Sequence, residues 1–245
     1  MSDCQLNNLP VELVHHLLSY FSAHEIFYTF TNVTSYIDAV LHAYSYYSIN
    51  FKSISRKNFD LVCQHIKPDQ VITLTLSDDE DTPGLAELFL SRFQINQFTR
   101  LQLLRLIEIG PDYWENIITK LIELKHLRSF LFLSSNESTY WISHISGNAL
   151  TQLDRCLFDS YAPILPQLHR LQLNHSDFLE SVQFPCLRHL ILRRSTVQTI
   201  RHICSVAPQI NSLETSFVYN KFDTELTFPV TKLHRLVLRI EGRVF

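Results

Sequence analysis

The chain has 245 residues, of which 46% are hydrophobic and 18% charged, and this composition excludes an intrinsically disordered protein. Its 21 basic and 24 acidic residues give a net charge of −3, which provides no general attraction to nucleic acid or to an anionic membrane. We therefore expect a folded protein, and neither nucleic acid nor membrane is among its predicted partners.

The first residues lack the basic start and apolar stretch of a secretory signal, and no apolar run reaches the length that spans a bilayer. Glycosylation sequons begin at Asn32, Asn136 and Asn174 and argue weakly for a secreted protein. Such tripeptides often arise by chance, and we give them no weight. The sequence predicts a cytoplasmic and/or nuclear protein.

Residues 1–50 predict three short helices, each with its own start signal. Pro10 suits the first turn of a helix because its missing N–H would have no partner there. Ser22 and Glu25 have the spacing of a capping box, and Thr34 can cap a third helix. On the first helix, a set of apolar residues is predicted to share one face. They are Leu13, Leu17, Tyr20 and Phe21.

Three sequence clusters in this helical head resemble the F-box motif. They are Leu9-Pro10-Val11-Glu12-Leu13, Leu17-Leu18-Ser19-Tyr20-Phe21 and Glu25-Ile26. The resemblance implies a module that binds an Skp-type adaptor and, through it, a cullin scaffold. The implied adaptor-binding residues are Leu9, Pro10, Glu12, Leu13, Leu17, Leu18 and Ile26. An alternative for residues such as Leu13 and Leu17 is that they only pack the head on itself.

A helical linker at 51–69 precedes a recurring pattern of the form apolar-x-x-apolar-x-apolar, which runs from residue 70 to 245. We call the middle residue of each repeat its anchor. The anchors are Leu74, Leu104, Phe130, Cys156, Leu171, Leu190, Leu213 and Leu236. Most spacings between them suit a leucine-rich repeat of roughly 20 to 29 residues, although the repeat at Cys156 is too short for a full turn.

A strand followed by a return segment, repeated, predicts an α/β protein with a parallel sheet. Three longer return segments have helical apolar spacing, at 85–93, 113–124 and 196–206. The predicted architecture is therefore a small three-helix F-box followed by an irregular leucine-rich-repeat solenoid with a curved parallel sheet.

The sequence contains no recognised catalytic or metal-binding motif. Its twelve histidines form no HExxH spacing, and its four glycines are too scattered for a phosphate-binding loop. The cysteines also lack the spacing of a zinc or redox site. They are Cys4, Cys63, Cys156, Cys186 and Cys204. We predict no cofactor, no metal and no enzymatic activity, while side chains that converge only on folding stay a third-ranked alternative.

If each anchor faces the repeat core, residues one before, one after and three after it face the opposite side of the sheet. Basic residues occupy many of these positions in the second half of the chain, and we predict that they bind substrate. They are Arg155, Arg170, His189, Arg193, Arg235 and Arg239. Guanidinium groups suit carboxylates and phosphates, so an acidic or phosphorylated segment is the hypothesised ligand. Ordinary solvated charge is the alternative.

Together these features predict a non-catalytic substrate receptor of a cullin-RING (SCF-type) ubiquitin ligase. The F-box would bind the adaptor, and the repeats would bind a protein that is to be modified with ubiquitin. The alternative is an F-box and leucine-rich-repeat scaffold without ligase activity.

Overall fold

The computed structural model describes residues 5–133, 162–173, 183–195, 197–218 and 233–241. The chain divides into two compact units, Met1–Ile109 and Gly110–Phe245, which we call the N-terminal and C-terminal units. The described residues form an α/β protein with parallel strands, as the sequence predicts. The predicted domain boundaries near residues 50 and 70 stay a prediction.

In the N-terminal unit, a 3-10 turn at Gln5–Asn8 precedes the three predicted helices. They are α1 (Val11–Leu18), α2 (Ala23–Phe30) and α3 (Ser35–Ala43). The predicted caps are confirmed. The Glu25 carboxylate accepts hydrogen bonds from the backbone N–H and the hydroxyl of Ser22 at 2.8 and 2.6 Å, and these bonds lower the pKa of Glu25. Thr34 Oγ1 accepts from the Ile37 N–H at 3.2 Å.

Strands and helices alternate through the remainder of the N-terminal unit. They are β1 (Tyr47–Asn50), α4 (Arg56–His65), β2 (Val71–Ser77), α5 (Leu85–Arg92) and β3 (Leu103–Ile107). β1 pairs with β2 and β2 with β3, all parallel. The α4 helix confirms the helix predicted in the linker. Aromatic rings fill the core beneath these strands, with Phe51 packed against Phe59 at 4.8 Å and Phe89 at 5.7 Å.

The described part of the C-terminal unit contains five further parallel strands. Its elements are α6 (Pro111–Ile118), β4 (Ser129–Leu133), β5 (Arg170–Leu173), β6 (His189–Ser195), α7 (Val197–Val206), β7 (Ser212–Val218) and β8 (Arg235–Glu241). Each strand from β4 to β8 pairs with the next one in chain order. Successive strands therefore stack laterally, as they do in a repeat protein.

The predicted anchors align across the strands of each unit. Leu74 pairs with Leu104 in the N-terminal unit. In the C-terminal unit the register runs through Phe130, Leu171, Leu190, Leu213 and Leu236. All of these anchors are buried except Leu236 on the last strand, which is 40% exposed. The apolar pattern thus identified strands β2 to β8 and the register within each unit.

Three details differ from the sequence prediction or fall outside it. Strand β1 lies where the sequence predicts the end of the helical head, and Ile49 pairs with Leu74 as a further anchor. α6 ends at Ile118, and a separate 3-10 turn follows at Leu121–Glu123 instead of a continued helix. The predicted Cys156 repeat lies outside the described residues.

Candidate protein-binding surfaces

The segment before α1 is held against the start of α3 by two side chains. The Tyr36 hydroxyl donates to the Leu9 carbonyl oxygen at 2.6 Å, and the Thr34 hydroxyl donates to Asn7 Oδ1 at 2.7 Å. Leu9 is half-buried, whereas Pro10 is exposed. The two hydrogen bonds therefore fix the backbone that presents Pro10 and the first turn of α1 to solvent.

Helix α1 has one buried face and one exposed apolar face. Val14 and Leu18, one helical turn apart, are 2% and 0% exposed and form the inner face. Leu13 is 54% exposed, and Val11 is 37% exposed. The sequence predicted an apolar face that includes Leu13, and the structure places this side chain in solvent rather than in the core.

Further large apolar side chains of the head are exposed. In helices α1 to α3 and the segments between them, six are exposed: Val11, Leu13, Tyr20, Phe21, Tyr28 and Val33. An exposed leucine alone needs no explanation, but six large apolar side chains within one short head are unusual for a surface that meets only water.

The predicted adaptor-binding residues divide into two groups by burial. Pro10, Glu12 and Leu13 are exposed, and Leu9 and Leu17 are half-buried. Leu18 and Ile26 are fully buried in the head. The first group can contact a partner directly, whereas the buried pair supports the helices that carry it. Sequence periodicity did not separate the two groups, because apolar residues occur on both sides of α1.

An open cleft of about 370 Å³ lies within the N-terminal unit beside α1. Its lining includes His15 and Phe21 from the head and Ile72 from β2, with no carboxylate among the lining residues. The His15 ring packs edge-on against Tyr44 at 5.2 Å, and its buried Nε2 atom has no hydrogen-bond partner within the described part of the chain. No sequence pattern indicates this cleft, because it joins residues from distant segments.

The predicted substrate-binding residues occupy the outer side of the C-terminal unit's strands. Arg170 on β5 pairs in register with His189 on β6, and Ser212 on β7 pairs with Arg235 on β8. His189, Arg193, Arg235 and Arg239 are exposed, and Arg170 is half-buried. Arg155 lies outside the described residues. Sequence alternation therefore placed the described members of this set on the expected side of the sheet.

The strand register separates two of these arginines, and an ion pair engages a third. Ser212 and His189 separate Arg235 from Arg170, so the backbone positions of these two arginines lie about three strand spacings, roughly 14 Å, apart. Arg239 Nη2 lies 2.9 Å from Glu214 Oε1, so part of its charge is neutralised within the sheet.

A second row, which the sequence prediction did not include, lies one residue further toward the start of each strand and is basic at four of its five positions. Backbone hydrogen bonds of 2.8 to 3.0 Å connect its members in a continuous ladder. They are Arg128, His169, Arg188, Asn211 and His234. Burial lowers the pKa of His169, and so do the nearby charges of Arg188 and Arg128. The dipeptides His169-Arg170, Arg188-His189 and His234-Arg235 were the signal that could have revealed the row.

The described cysteines have the properties of structural thiols. Cys63, Cys186 and Cys204 are free and half-buried. Burial raises the pKa of Cys63 to about 11, and it also raises the pKa of Cys204. Cys4 and Cys156 lie outside the described residues. Within the described ranges, no group of three or more His, Cys, Asp and Glu side chains is arranged to hold a metal ion.

Comparison with known proteins identifies no relative: the chain matches no family model, no curated protein and no solved structure. None of the described helices is both long enough and apolar enough to cross a membrane.

Proposed function

We propose that the protein is a substrate receptor of a cullin-RING (SCF-type) ubiquitin ligase, with an F-box head and leucine-rich repeats. The observation that carries this proposal is the exposure of the first F-box cluster. Pro10, Val11 and Leu13 face solvent, although apolar side chains at the start of a small helical unit would ordinarily help to fill its core. An adaptor bound there would remove this apolar surface from water.

The repeating strands support the second half of the proposal. Anchors such as Leu171, Leu190 and Leu213 align in a parallel sheet, in which each anchor is buried and the residue before it faces outward. Leucine-rich repeats present such outward rows to protein ligands. The repeats would hold a substrate close to the ubiquitin-charged enzyme recruited by the cullin, and the chain itself would carry out no bond chemistry.

Adaptor binding is tested by changing Leu13 to Asp and measuring co-purification with an Skp-type adaptor. Leu13 is 54% exposed, so a charge at this position leaves the core intact but places an unpaired carboxylate in the interface. We expect affinity for the adaptor to fall by roughly thirtyfold or more, the loss typical of an interface hot spot. Replacing Leu9 and Pro10 with Ala should act in the same direction.

Ile122→Asp provides a matched control, because Ile122 is 50% exposed and lies in the C-terminal unit. This variant should bind the adaptor as the unmodified chain does. Undiminished adaptor binding by Leu13→Asp would refute the F-box assignment. Recovery of a cullin with the adaptor supports a ligase subunit, whereas an adaptor complex that lacks cullin supports the alternative scaffold.

A further inference from the structure

The starts of strands β4, β5, β6 and β8 carry the positive charges of four arginines, with three histidines beside them, in a protein whose net charge is −3 when its histidines are counted as neutral. Two consecutive positions contribute these side chains, one and two residues before each anchor, and we call their basic members the basic rim. They are Arg128, His169, Arg170, Arg188, His189, His234 and Arg235. The six-residue segments that lead into these strands, 124–129, 165–170, 184–189, 207–212 and 230–235, contain no Asp or Glu. The charge at the rim is therefore not neutralised by acidic residues of its own segments.

The geometry of the rim matches an extended chain. Neighbouring strands lie about 4.8 Å apart, so the ladder from Arg128 to His234 extends over roughly 19 Å. An extended peptide advances about 3.3 Å per residue and points alternate side chains the same way. About six residues would cover the rim, and three acidic side chains on one side of that peptide would meet its basic rows.

The side chain of Arg170 gives a second indication of a missing anionic partner. It is half-buried on β5, the second of the five strands, and its Nε atom is buried with no hydrogen-bond partner among the residues that the structure describes. A buried guanidinium donor without an acceptor costs free energy, and a carboxylate or phosphate oxygen would satisfy it. The adjacent residue in register, His189, is exposed and could contact the same ligand.

From these observations we infer that the basic rim binds an extended acidic segment of a protein, through carboxylates or phosphate groups. As an identification of the substrate class, this inference rests on the receptor function proposed above. The binding itself involves only the C-terminal unit and is measurable without an adaptor.

Two other occupants fit the structure less well. Single-stranded nucleic acid is generally held by aromatic stacking as well as charge, and the exposed large apolar side chains of the described C-terminal unit are the aliphatic Ile122 and Leu236. The acidic run at 78–81 of a second copy is already engaged. Asp78 accepts from the Leu85 N–H at 2.9 Å, and Asp81 accepts from the Ser53 hydroxyl at 2.9 Å.

The test measures fluorescence anisotropy of labelled peptides added to the purified full-length chain. One peptide alternates Glu with Ser, a second alternates phosphoserine with Gly, and a third alternates Lys with Ser. We expect the first two to bind, the third not to bind, and affinity to fall as salt is raised. The stronger of the two acidic peptides identifies carboxylate or phosphate as the preferred group.

Arg128→Glu combined with Arg188→Glu is the decisive variant, because both side chains are exposed and flank His169. It should weaken acidic-peptide binding by about tenfold or more, while the conservative change of both residues to Lys should retain most of it. Lys57→Glu combined with Lys120→Glu makes the same change in net charge at residues that are not members of the rim, and this variant should bind as the unmodified chain does. A urea unfolding midpoint for each variant establishes that it is folded.

Unchanged peptide affinity in the Arg128 and Arg188 reversal would overturn the inference. So would an equal loss in the Lys57 and Lys120 control, because the effect would then follow net charge alone. A single-stranded oligonucleotide of equal charge that binds more tightly than both acidic peptides would assign the rim to nucleic acid instead. Adaptor binding should persist in the rim variants, and peptide binding should persist in Leu13→Asp, so the two proposals fail independently.

Discussion

At the scale of single residues, the imidazole of His169 reports directly on the electrostatics of the basic rim. Its pKa lies below the ordinary value of about 6.5 because burial, Arg188 and Arg128 all disfavour the charged ring. Changing exposed Arg188 to Gln removes one of the two nearby positive charges. We expect the pKa of His169 to rise in this variant, as measured by NMR titration of the imidazole protons.

The same residue makes a defined contribution to the pH dependence of stability. A histidine whose pKa is lowered by folding binds protons more readily when unfolded, so its contribution to stability decreases as pH falls below about 6.5. His169→Gln should therefore reduce the loss of urea stability between pH 7 and pH 5. An equally steep loss in the variant would assign the effect to other groups.

Tyr47 illustrates how a buried polar group stabilises the N-terminal unit. The ring is 1% exposed, its hydroxyl donates to the Leu41 carbonyl oxygen at 2.8 Å, and burial raises its pKa. Tyr47→Phe removes the donor and leaves the carbonyl without this bond, which should destabilise the fold by about 1 to 2 kcal/mol. Tyr28→Phe is the control, because Tyr28 is 73% exposed, and the urea midpoints of both variants provide the comparison.

At the scale of elements, local signals account for the parts of the fold that the sequence predicted well. The Ser22 and Thr34 caps involve residues three apart, so the local sequence is sufficient to predict their hydrogen bonds. The anchors were equally clear because each strand carries the same short apolar pattern. The pattern also exists in β1 as Tyr46, Ile49 and Phe51, but three aromatic residues at 44–47 were included in the preceding helix.

The candidate surfaces were harder to predict because they depend on lateral register. Arg170 and Arg235 occupy equivalent repeat positions, yet only the paired strands show that His189 and Ser212 lie between them. The burial of a side chain likewise depends on contacts that the sequence does not show. Leu13 and Leu18 are both apolar residues of α1, and only tertiary packing determines that one is exposed and the other is buried.

The cap of α3 gives a prediction at this scale. Thr34 Oγ1 accepts from the Ile37 N–H, and its hydroxyl donates to Asn7, so one side chain begins the helix and holds the preceding segment. Thr34→Ala should cost about 1 kcal/mol of stability, the typical value for a lost N-cap. Thr34→Ser should retain most of it. Equal urea midpoints for Ala and Ser variants would show that the hydroxyl is not the stabilising group.

At the scale of the whole molecule, each unit has its own buried anchors. Leu74 and Leu104 are fully buried in the N-terminal unit, and Leu171, Leu190 and Leu213 are 0 to 1% exposed in the C-terminal unit. Each strand buries its anchor among those of its lateral neighbours, so the strands within a unit depend on one another. Loss of one central anchor should therefore affect several strands together.

Leu190→Asp tests this cooperativity, because it places an unpaired charge at the centre of the aligned anchors. The cost should be several kcal/mol, a large part of the stability of an ordinary domain. Hydrogen exchange should show that β5, β6 and β7 lose amide protection together, while β1 to β3 keep theirs. Leu236→Asp changes the equivalent anchor on β8, where the side chain is 40% exposed, and should have a much smaller effect because water can still hydrate the charge. Loss of protection confined to β6 in Leu190→Asp would show that each strand is stabilised independently of its neighbours.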